Sequence, residues 1–272
     1  ERRDKTLIFR TWSVGVGEIG DMHTNPETYA AALDAVDSPN LVLSTKFVMG
    51  DYDSFLPFNP TLKQGRHRRL VEFQARREFE GFGSLANYMG PLHQLALRDF
   101  LSTNPNIAGA WLWTQDGGPL RAGPLNIYPF HGLTTWTDAN VYSTLRLAQD
   151  PAGSDVVAIT DDWIRQAFPG ATPEFVAGLR EILFQSREAI RKGLYISPYA
   201  NLESRALGLE PPPMMWIFKW DIISGSSSVL GIVYYLSRDR LEESIAEGDA
   251  ALNAVREMRA VLREIRSGLT RE

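Results

Sequence analysis

The segment "LVEFQARREFEGFG" (residues 70–83) carries the clearest fold signal in the chain. Its side chains alternate between apolar and polar with the two-residue period of a β-strand. The apolar set is Val71, Phe73, Ala75 and Phe79, and the polar set is Glu72, Gln74, Arg76 and Glu78. In a barrel strand the apolar set would face the surrounding helices and the polar set would face the interior near the mouth. The alternative is an edge strand with a solvated polar face.

Three further apolar segments resemble strands, and helical patterns lie between some of them. They are "TLIFRTWSVG" (6–15), "LVLSTKFVMG" (41–50) and "IAGAWLWTQDGG" (107–118). Their spacing of about 30 residues is typical of β–α units in a parallel sheet. A helix is predicted after Thr24 or Asn25 as N-cap, with Pro26 at its first position. Another is predicted over 92–101.

The pattern changes near residue 150. A helix is predicted after Ser154 or Asp155, and a second after Thr172 as N-cap. The segment from "SRDRLEES" onward (237–244 and beyond) predicts a long terminal amphipathic helix. We therefore predict a strand–helix region over residues 1–150 and an all-helical domain over residues 151–272.

Four β–α units are too few to close an eight-stranded barrel. They leave two parallel edges with unpaired backbone groups, which proteins avoid. The predicted fold is therefore either an open four-stranded α/β layer or the C-terminal half of a (β/α)8-type barrel. The chain begins with "ERRDKT" rather than Met, which favours the half-barrel. A second copy, the missing N-terminal half or a local rearrangement would then cover the edges.

Composition excludes several classes of function. The 272-residue chain has a net charge of −5, which argues against a nucleic-acid partner. It has no Cys, hence neither a disulfide nor a thiolate metal site, and this is compatible with any compartment. No apolar run reaches the ~18 residues of a membrane span. The four His residues are scattered without metal-ligand spacing, which predicts solvated or capping roles, and common catalytic motifs are absent.

Charged residues follow the predicted strands, with aromatic residues close by. Cations beside aromatic rings are suited to an anionic sugar, because the ring stacks on the sugar and the cation pairs with its carboxylate. Two carboxylates at neighbouring strand ends indicate glycoside hydrolysis. The alternative is that each charge is structural or lies on the surface. The charged residues are Arg10, Lys46, Asp51 and Glu78, and the aromatic ones are Trp12, Tyr52, Phe55, Trp111 and Trp113.

Several motifs resemble the α-glucuronidases of glycoside hydrolase family 67. Arg10 in "IFRTW", "KFVMGDY" (46–52) and "EFQARREFEG" (72–81) are similar to that family's strand Arg, K-N-G-P-I-D-F-Q and E-F-Q-x-x-Q-E-Y-x-G. Further along, "DANVYSTLRLAQDP" (138–151) and "SREAIRKGLYISP" (186–198) resemble A-N-W-Y … G-R-L-A-W-D-P and S-R-E-x-x-x-x-Y-x-x-P. The resemblance covers roughly residues 6–200.

The resemblance implies roles for these residues. Arg10 and Lys46 would hold the uronate carboxylate, and Asp51 and Glu78 would flank the attacking water, with either one as general base. An inverting site separates acid and base by about 6.5–9.5 Å. The general acid of the family lies on a strand upstream of Arg10, and Glu18 or Asp21 would be a substitute for it. Sugar contacts are predicted for Trp12, Trp113, Gln115 and Asp116, and no cofactor is required.

The chain also departs from the family pattern. N-G-P-I is replaced by "FVMG" (47–50), and Q-E-Y by "REF" (77–79). We therefore expect a divergent relative that removes α-linked glucuronic acid or a similar uronide from xylo-oligosaccharides or related glycans by inversion. The rival hypothesis is a non-catalytic uronide-binding or scaffold module with the same surface. A third is an unrelated four-stranded α/β protein whose charges form ion pairs.

Overall fold

The computed structural model describes residues 5–12, 19–50, 56–75, 85–114, 135–195 and 238–269. These residues form an α/β structure with one four-stranded parallel sheet and six α-helices, as the alternation of patterns predicts. The strands lie in the order β1-β2-β3-β4, so neighbours in the chain are neighbours in the sheet. Their bounds are β1 Leu7–Arg10, β2 Leu41–Lys46, β3 Arg68–Gln74 and β4 Ile107–Trp113. The helices are α1 Pro26–Leu33, α2 Gly90–Thr103, α3 Thr135–Gln149, α4 Val156–Ala167, α5 Pro173–Ile190 and α6 Leu241–Ile265.

Three of the helices begin at side-chain caps. The Asn25 side chain accepts a hydrogen bond from the backbone N–H of Thr28 at 2.8 Å, and Pro26 follows it. Asp155 starts α4 in the same way, and Thr172 starts α5. These caps satisfy backbone N–H groups that have no partner within the helix, which stabilises each start by about 1 kcal/mol. Of the alternatives left open by the sequence, Asn25 and Asp155 are the caps.

Strand β3 is central in the sheet, because it pairs with both β2 and β4. Val71 and Phe73 are buried on one side of the strand, and Glu72 and Gln74 are buried on the other. The predicted alternation is therefore confirmed through Gln74. The alternative of an edge strand with a solvated polar face is wrong, since the polar side is as inaccessible as the apolar side.

The apolar side of the sheet packs against helices. Tyr29 and Leu33 of α1 cover Leu41 and Leu43 of β2. Helices α2, α3 and α4 contribute to one larger cluster over β3 and β4, whose buried members include Phe47, Val71, Phe73, Leu97, Phe100, Leu147, Val156 and Ile159. This hydrophobic core continues across the domain boundary predicted at residue 150, because Val156 and Ile159 of α4 belong to it.

A second cluster joins α3, α4 and α5, with Trp163, Phe175 and Leu183 among its buried members. Helix α6 lies against α5 at Gly178, where a Cβ atom would be only 2.6 Å from Cγ2 of Ile265. Glycine therefore permits the close approach of the two helices. Residues 151–195 and 238–269 are almost entirely helical, whereas 196–237 and 270–272 lie outside the described residues. That these helices form a separate domain stays a prediction.

Strand β1 lies at one edge of the sheet and pairs with β2 alone among the described residues. Its apolar side chains Leu7, Ile8 and Phe9 are exposed. No helix in the described part of the chain is both long and apolar enough to cross a membrane.

Candidate functional site

One face of the sheet carries polar and aromatic side chains near the C-terminal ends of its strands. Register pairs Arg10 with Ser44, Lys46 with Glu72, and Gln74 with Trp113. Paired residues of adjacent strands project to the same side, as do residues two apart on one strand. We call this side the polar face, and its members are Arg10, Ser44, Lys46, Glu72, Gln74, Trp111 and Trp113.

Glu72 is the centre of the polar face and is 0% exposed. Its carboxylate accepts hydrogen bonds from Nε of Arg10 at 2.9 Å and from Oγ of Ser44 at 2.7 Å. The indole N–H of Trp113 lies 3.4 Å from Oε2, the carboxylate oxygen to which Arg10 donates at 2.9 Å. Ser44 in turn accepts a hydrogen bond from the indole N–H of Trp111 at 2.6 Å. A buried carboxylate is tolerated only with such partners, because desolvation alone is costly.

Arg10 serves this network from the end of β1. Its Nε forms the ion pair with Glu72, and its guanidinium carbon lies 5.2 Å from the centroid of the Trp113 ring. The Arg10 side chain is 37% exposed, so it pairs with Glu72 while remaining partly accessible to solvent. Arg10, which the sequence predicts to hold a ligand carboxylate, therefore also forms an ion pair with a carboxylate of the protein.

Lys46 is 2% exposed at the end of β2, although lysine is rarely buried. Its Nζ lies 3.2 Å from the centroid of the Trp12 ring, which is a cation–π contact. The sequence singled out both residues, and the fold brings them into contact. The arrangement presents an ammonium group beside an aromatic face at the C-terminal end of a parallel strand.

His23 contacts Trp12, the partner of Lys46, and is completely buried. Its ring packs edge-on against Trp12 with centroids 5.1 Å apart. The Asn59 amide N–H2 group, a donor only, lies 3.4 Å from Nε2, so Nε2 accepts and Nδ1–H points to Oγ1 of Thr11 at 3.1 Å. Burial, together with the positive charge of Lys46, lowers the pKa of His23 to about 3, although Asp21 opposes the shift. The imidazole is therefore neutral at physiological pH.

The expectation that the His residues are solvated or capping is wrong for three of them. His23, His67 and His93 are buried, and their rings bond to Thr11, to the Val36 carbonyl oxygen and to Thr144, respectively. Sequence spacing does not reveal which residues of distant segments will surround a ring. His131 lies outside the described residues. Within those residues, no three His, Asp or Glu side chains form a cluster able to hold a metal ion.

The predicted catalytic carboxylates Asp51 and Glu78 lie outside the described residues, as does the predicted sugar contact Asp116. Glu18, one of the two candidate general acids, also lies outside them. The other candidate, Asp21, is buried, and its carboxylate accepts from the backbone N–H of His23 and from the hydroxyl of Thr24. These bonds close the turn before α1, which is a structural use of the carboxylate.

Two central members of the polar face, Glu72 and Ser44, were not among the predicted site residues. Glu72 was assigned to the polar side of its strand, and its position in a central strand was the missing information. Recognising β3 as a buried central strand would have identified Glu72, because its carboxylate faces away from the helices. Ser44 has no such signal, because a serine in an apolar strand is common.

Comparison of this chain with models of known protein families and with curated proteins finds no match. The resemblance to α-glucuronidases therefore rests on the sequence motifs alone. The geometry of the polar face is independent of that resemblance.

Proposed function

We propose that this chain is an α-glucuronidase-like glycoside hydrolase that removes an α-linked uronic acid from xylo-oligosaccharides or related glycans with inversion. The observation that carries the proposal is the pairing of each cation of the polar face with a tryptophan. Lys46 contacts Trp12 and Arg10 contacts Trp113 at the C-terminal ends of β2, β1 and β4. Aromatic faces stack on sugar rings, and the cations complement a uronate carboxylate.

The proposal includes a barrel, because the topology is more typical of one than of a doubly wound sheet. The strand order follows the chain without reversal, and helices α1, α2 and α3 pack on the apolar side. A doubly wound sheet reverses its order and carries helices on both sides. In a (β/α)8-type barrel the polar face would line the interior, and active sites lie at the C-terminal ends of its strands. The sheet would then be its C-terminal half.

In this scheme the residues of the polar face have distinct tasks. Lys46 contacts the uronate carboxylate, and Glu72 positions Arg10, whose exposed part reaches the same carboxylate. In the sequence Asp51 follows β2 and Glu78 follows β3, which are neighbouring strands, and the proposal assigns the catalytic carboxylates to these two residues. Either one acts as the general base that activates water on the face of the sugar opposite to the leaving group.

Titration calorimetry with matched ligands tests binding. The chain should bind an oligosaccharide that carries 4-O-methylglucuronic acid, such as the aldotetraouronic acid of xylan, at least tenfold more tightly than the neutral xylotriose. Lys46→Met keeps the length and apolar stem of the side chain and should remove this preference. Lys63→Met, which changes a surface lysine paired with Asp99, is the control and should bind like the wild type. Equal affinity for the neutral and acidic ligands would overturn the uronide site.

Turnover is tested separately by proton NMR of the chain mixed with the same acidic oligosaccharide. An inverting enzyme releases β-glucuronic acid first from an α-linked substrate, before mutarotation. Asp51→Asn and Glu78→Gln should abolish the release of glucuronic acid. The affinity measured by calorimetry should stay within a few-fold of the wild-type value. Uronide-selective binding without any release would instead establish the non-catalytic binding module.

A further inference from the structure

A second buried polar cluster lies at the opposite, N-terminal end of the sheet. Arg69 at the start of β3 and Tyr29 of α1 are both 0% exposed. The guanidinium carbon lies 4.4 Å from the centroid of the Tyr29 ring. Nη1 of Arg69 donates a hydrogen bond to the carbonyl oxygen of Thr61 at 2.5 Å. One nitrogen of the guanidinium is therefore satisfied by the backbone.

The other polar atoms of this cluster have no hydrogen-bond partner among the described residues. They are Nε and Nη2 of Arg69 and the hydroxyl of Tyr29. Nε–H and Nη2–H lie on one edge of the planar guanidinium, the edge that binds oxyanions through two parallel hydrogen bonds. Buried donors without an acceptor are rare in proteins, and each of them destabilises the fold.

Gly65 lies directly against these donors. Its φ of +81° favours glycine, and a Cβ atom built on it would lie 2.9 Å from the Tyr29 hydroxyl oxygen and 3.0 Å from Nη2 of Arg69. A side chain at this position would therefore press against both donors, and glycine avoids that contact. The carbonyl oxygen of Gly65 already accepts a hydrogen bond from the Asn106 amide at 3.1 Å.

The charge of the cluster favours an anion over a water molecule. Burial lowers the pKa of Arg69, with Tyr29 and Asp34 opposing the shift, and yet a guanidinium remains protonated in proteins. Among the described residues no carboxylate lies within ion-pair distance of it, so its charge is buried without a direct counter-charge. A water molecule would also need acceptors for its two hydrogens, whereas an anion only accepts.

We propose that Arg69, Tyr29 and Gly65 form a binding site for a small inorganic anion of about the size of chloride. The ion accepts hydrogen bonds from the free edge of Arg69 and from the Tyr29 hydroxyl, and it neutralises the guanidinium. The site joins α1 to β3 at the end of the sheet away from the polar face. Its role is to stabilise the fold, independently of any activity at the polar face.

Bromide locates the ion directly, because it replaces chloride and scatters anomalously. Crystals of the full chain grown in sodium bromide should show an anomalous peak within hydrogen-bonding distance of Arg69 Nε, Arg69 Nη2 and the Tyr29 hydroxyl. Ordinary density at that point without an anomalous peak would mean water only and would overturn the proposal. So would an anomalous map with no peak between these donors.

Thermal unfolding provides the measurement in solution. At constant ionic strength, replacing gluconate by chloride at about ten times its dissociation constant should raise the Tm by about 3–6 °C. Tyr29→Phe removes one donor and should reduce this chloride-dependent rise by at least half. If the site is empty, Tyr29→Phe removes an unsatisfied hydroxyl and leaves the chloride dependence unchanged, which would contradict the proposal.

A pair of glycine variants separates occupancy from backbone strain. Gly65→Ala places a methyl group against the donors and should abolish the chloride-dependent rise. Gly20→Ala introduces the same kind of strain at φ +98°, where a Cβ atom meets nothing within 4 Å, and should keep the full rise. If Gly65→Ala does not fold, Tyr29→Phe and the bromide map decide. A chloride effect of equal size in Gly65→Ala and Gly20→Ala would rule out this site as its source.

Discussion

The two sides of strand β3 are equally buried but differ in how they are stabilised. Phe73 and Glu72 are adjacent in the chain, and both are 0% exposed. Phe73 packs against the rings of Phe47 and His93, with centroids 5.1 and 4.3 Å away. Glu72 depends on hydrogen bonds of defined direction from Arg10 and Ser44. Apolar burial is non-directional and contributes stability, whereas a buried charge requires partners and so determines geometry.

The largest effect is expected on the apolar side. Phe73→Ala deletes a fully buried ring from the main cluster and should lower the free energy of unfolding by about 3–5 kcal/mol, measured by urea denaturation. The matched control is Phe9→Ala in β1, where the ring is exposed and the loss should be below about 1 kcal/mol. Equal losses for the two variants would contradict the assignment of Phe73 to the core.

The next effect concerns pH and reports on the burial of His23 and, to a smaller extent, on the positive charge of Lys46. The pKa of His23 is about 3 in the folded protein and has its ordinary value of 6.5 in the unfolded chain. Between these values the unfolded chain binds a proton that the folded protein does not, so stability is lost as pH falls from about 6.5 towards 3. The slope from this group is about 1.4 kcal/mol per pH unit, or about 3 kcal/mol between pH 6 and 4.

The variant His23→Gln removes this titration while keeping a polar side chain. Urea denaturation at several pH values should show a shallower loss of stability for the variant than for the wild type below pH 6. Acidic groups titrate in both proteins and cancel in the difference. Parallel pH profiles would mean that His23 is solvated and protonated in the folded state.

A smaller effect is expected from neutralising the centre of the polar face. Glu72→Gln keeps the shape but replaces one acceptor oxygen with an N–H2 group, which faces the donors of Arg10, Ser44 and Trp113. The free energy of unfolding should fall by about 1–3 kcal/mol, because at least one buried donor loses its acceptor. Glu27→Gln, at an exposed position of α1, is the control and should change it by less than about 0.5 kcal/mol. Equal effects would show that the Glu72 network contributes nothing.

The smallest effect separates two tryptophans of the same strand. Trp111→Phe removes a 2.6 Å hydrogen bond to Ser44 and should cost about 1 kcal/mol more than Trp113→Phe, whose 3.4 Å contact with Glu72 is long. Both changes delete the same atoms and keep an aromatic ring, including the ring of residue 113 beside Arg10, so the hydrogen bond is the main difference between them. Denaturation of the two variants in parallel measures it, and a larger loss in Trp113→Phe would reverse the ranking of the two contacts.

Local patterns were sufficient to predict the strands and most helix starts. The alternation around Glu72 identified the polar side of β3, and Pro26 and Pro173 marked the first residues of α1 and α5 correctly. These signals are local because capping and strand periodicity involve residues only a few positions apart. The half-barrel and the roles of Asp51 and Glu78 stay predictions.

Contacts between distant segments were not predictable in the same way. Arg10 was expected to bind a ligand carboxylate, and it pairs with Glu72, 62 residues further along the chain. Arg69 was given no role in the sequence analysis, and it is fully buried against Tyr29. Such pairs form where the register of parallel strands and the docking of helices bring side chains together, and no local pattern encodes them.

The amino-acid sequence by itself determined a parallel α/β arrangement, the approximate starts of most helices and the set of cations and tryptophans at the strand ends. Only the tertiary structure decided that Arg10 pairs with Glu72, that Lys46 is buried against Trp12, and that one edge of Arg69 has no hydrogen-bond partner among the described residues. The physical reason is that hydrophobic periodicity acts within one element, whereas the partner of a buried charge comes from whichever element packs beside it.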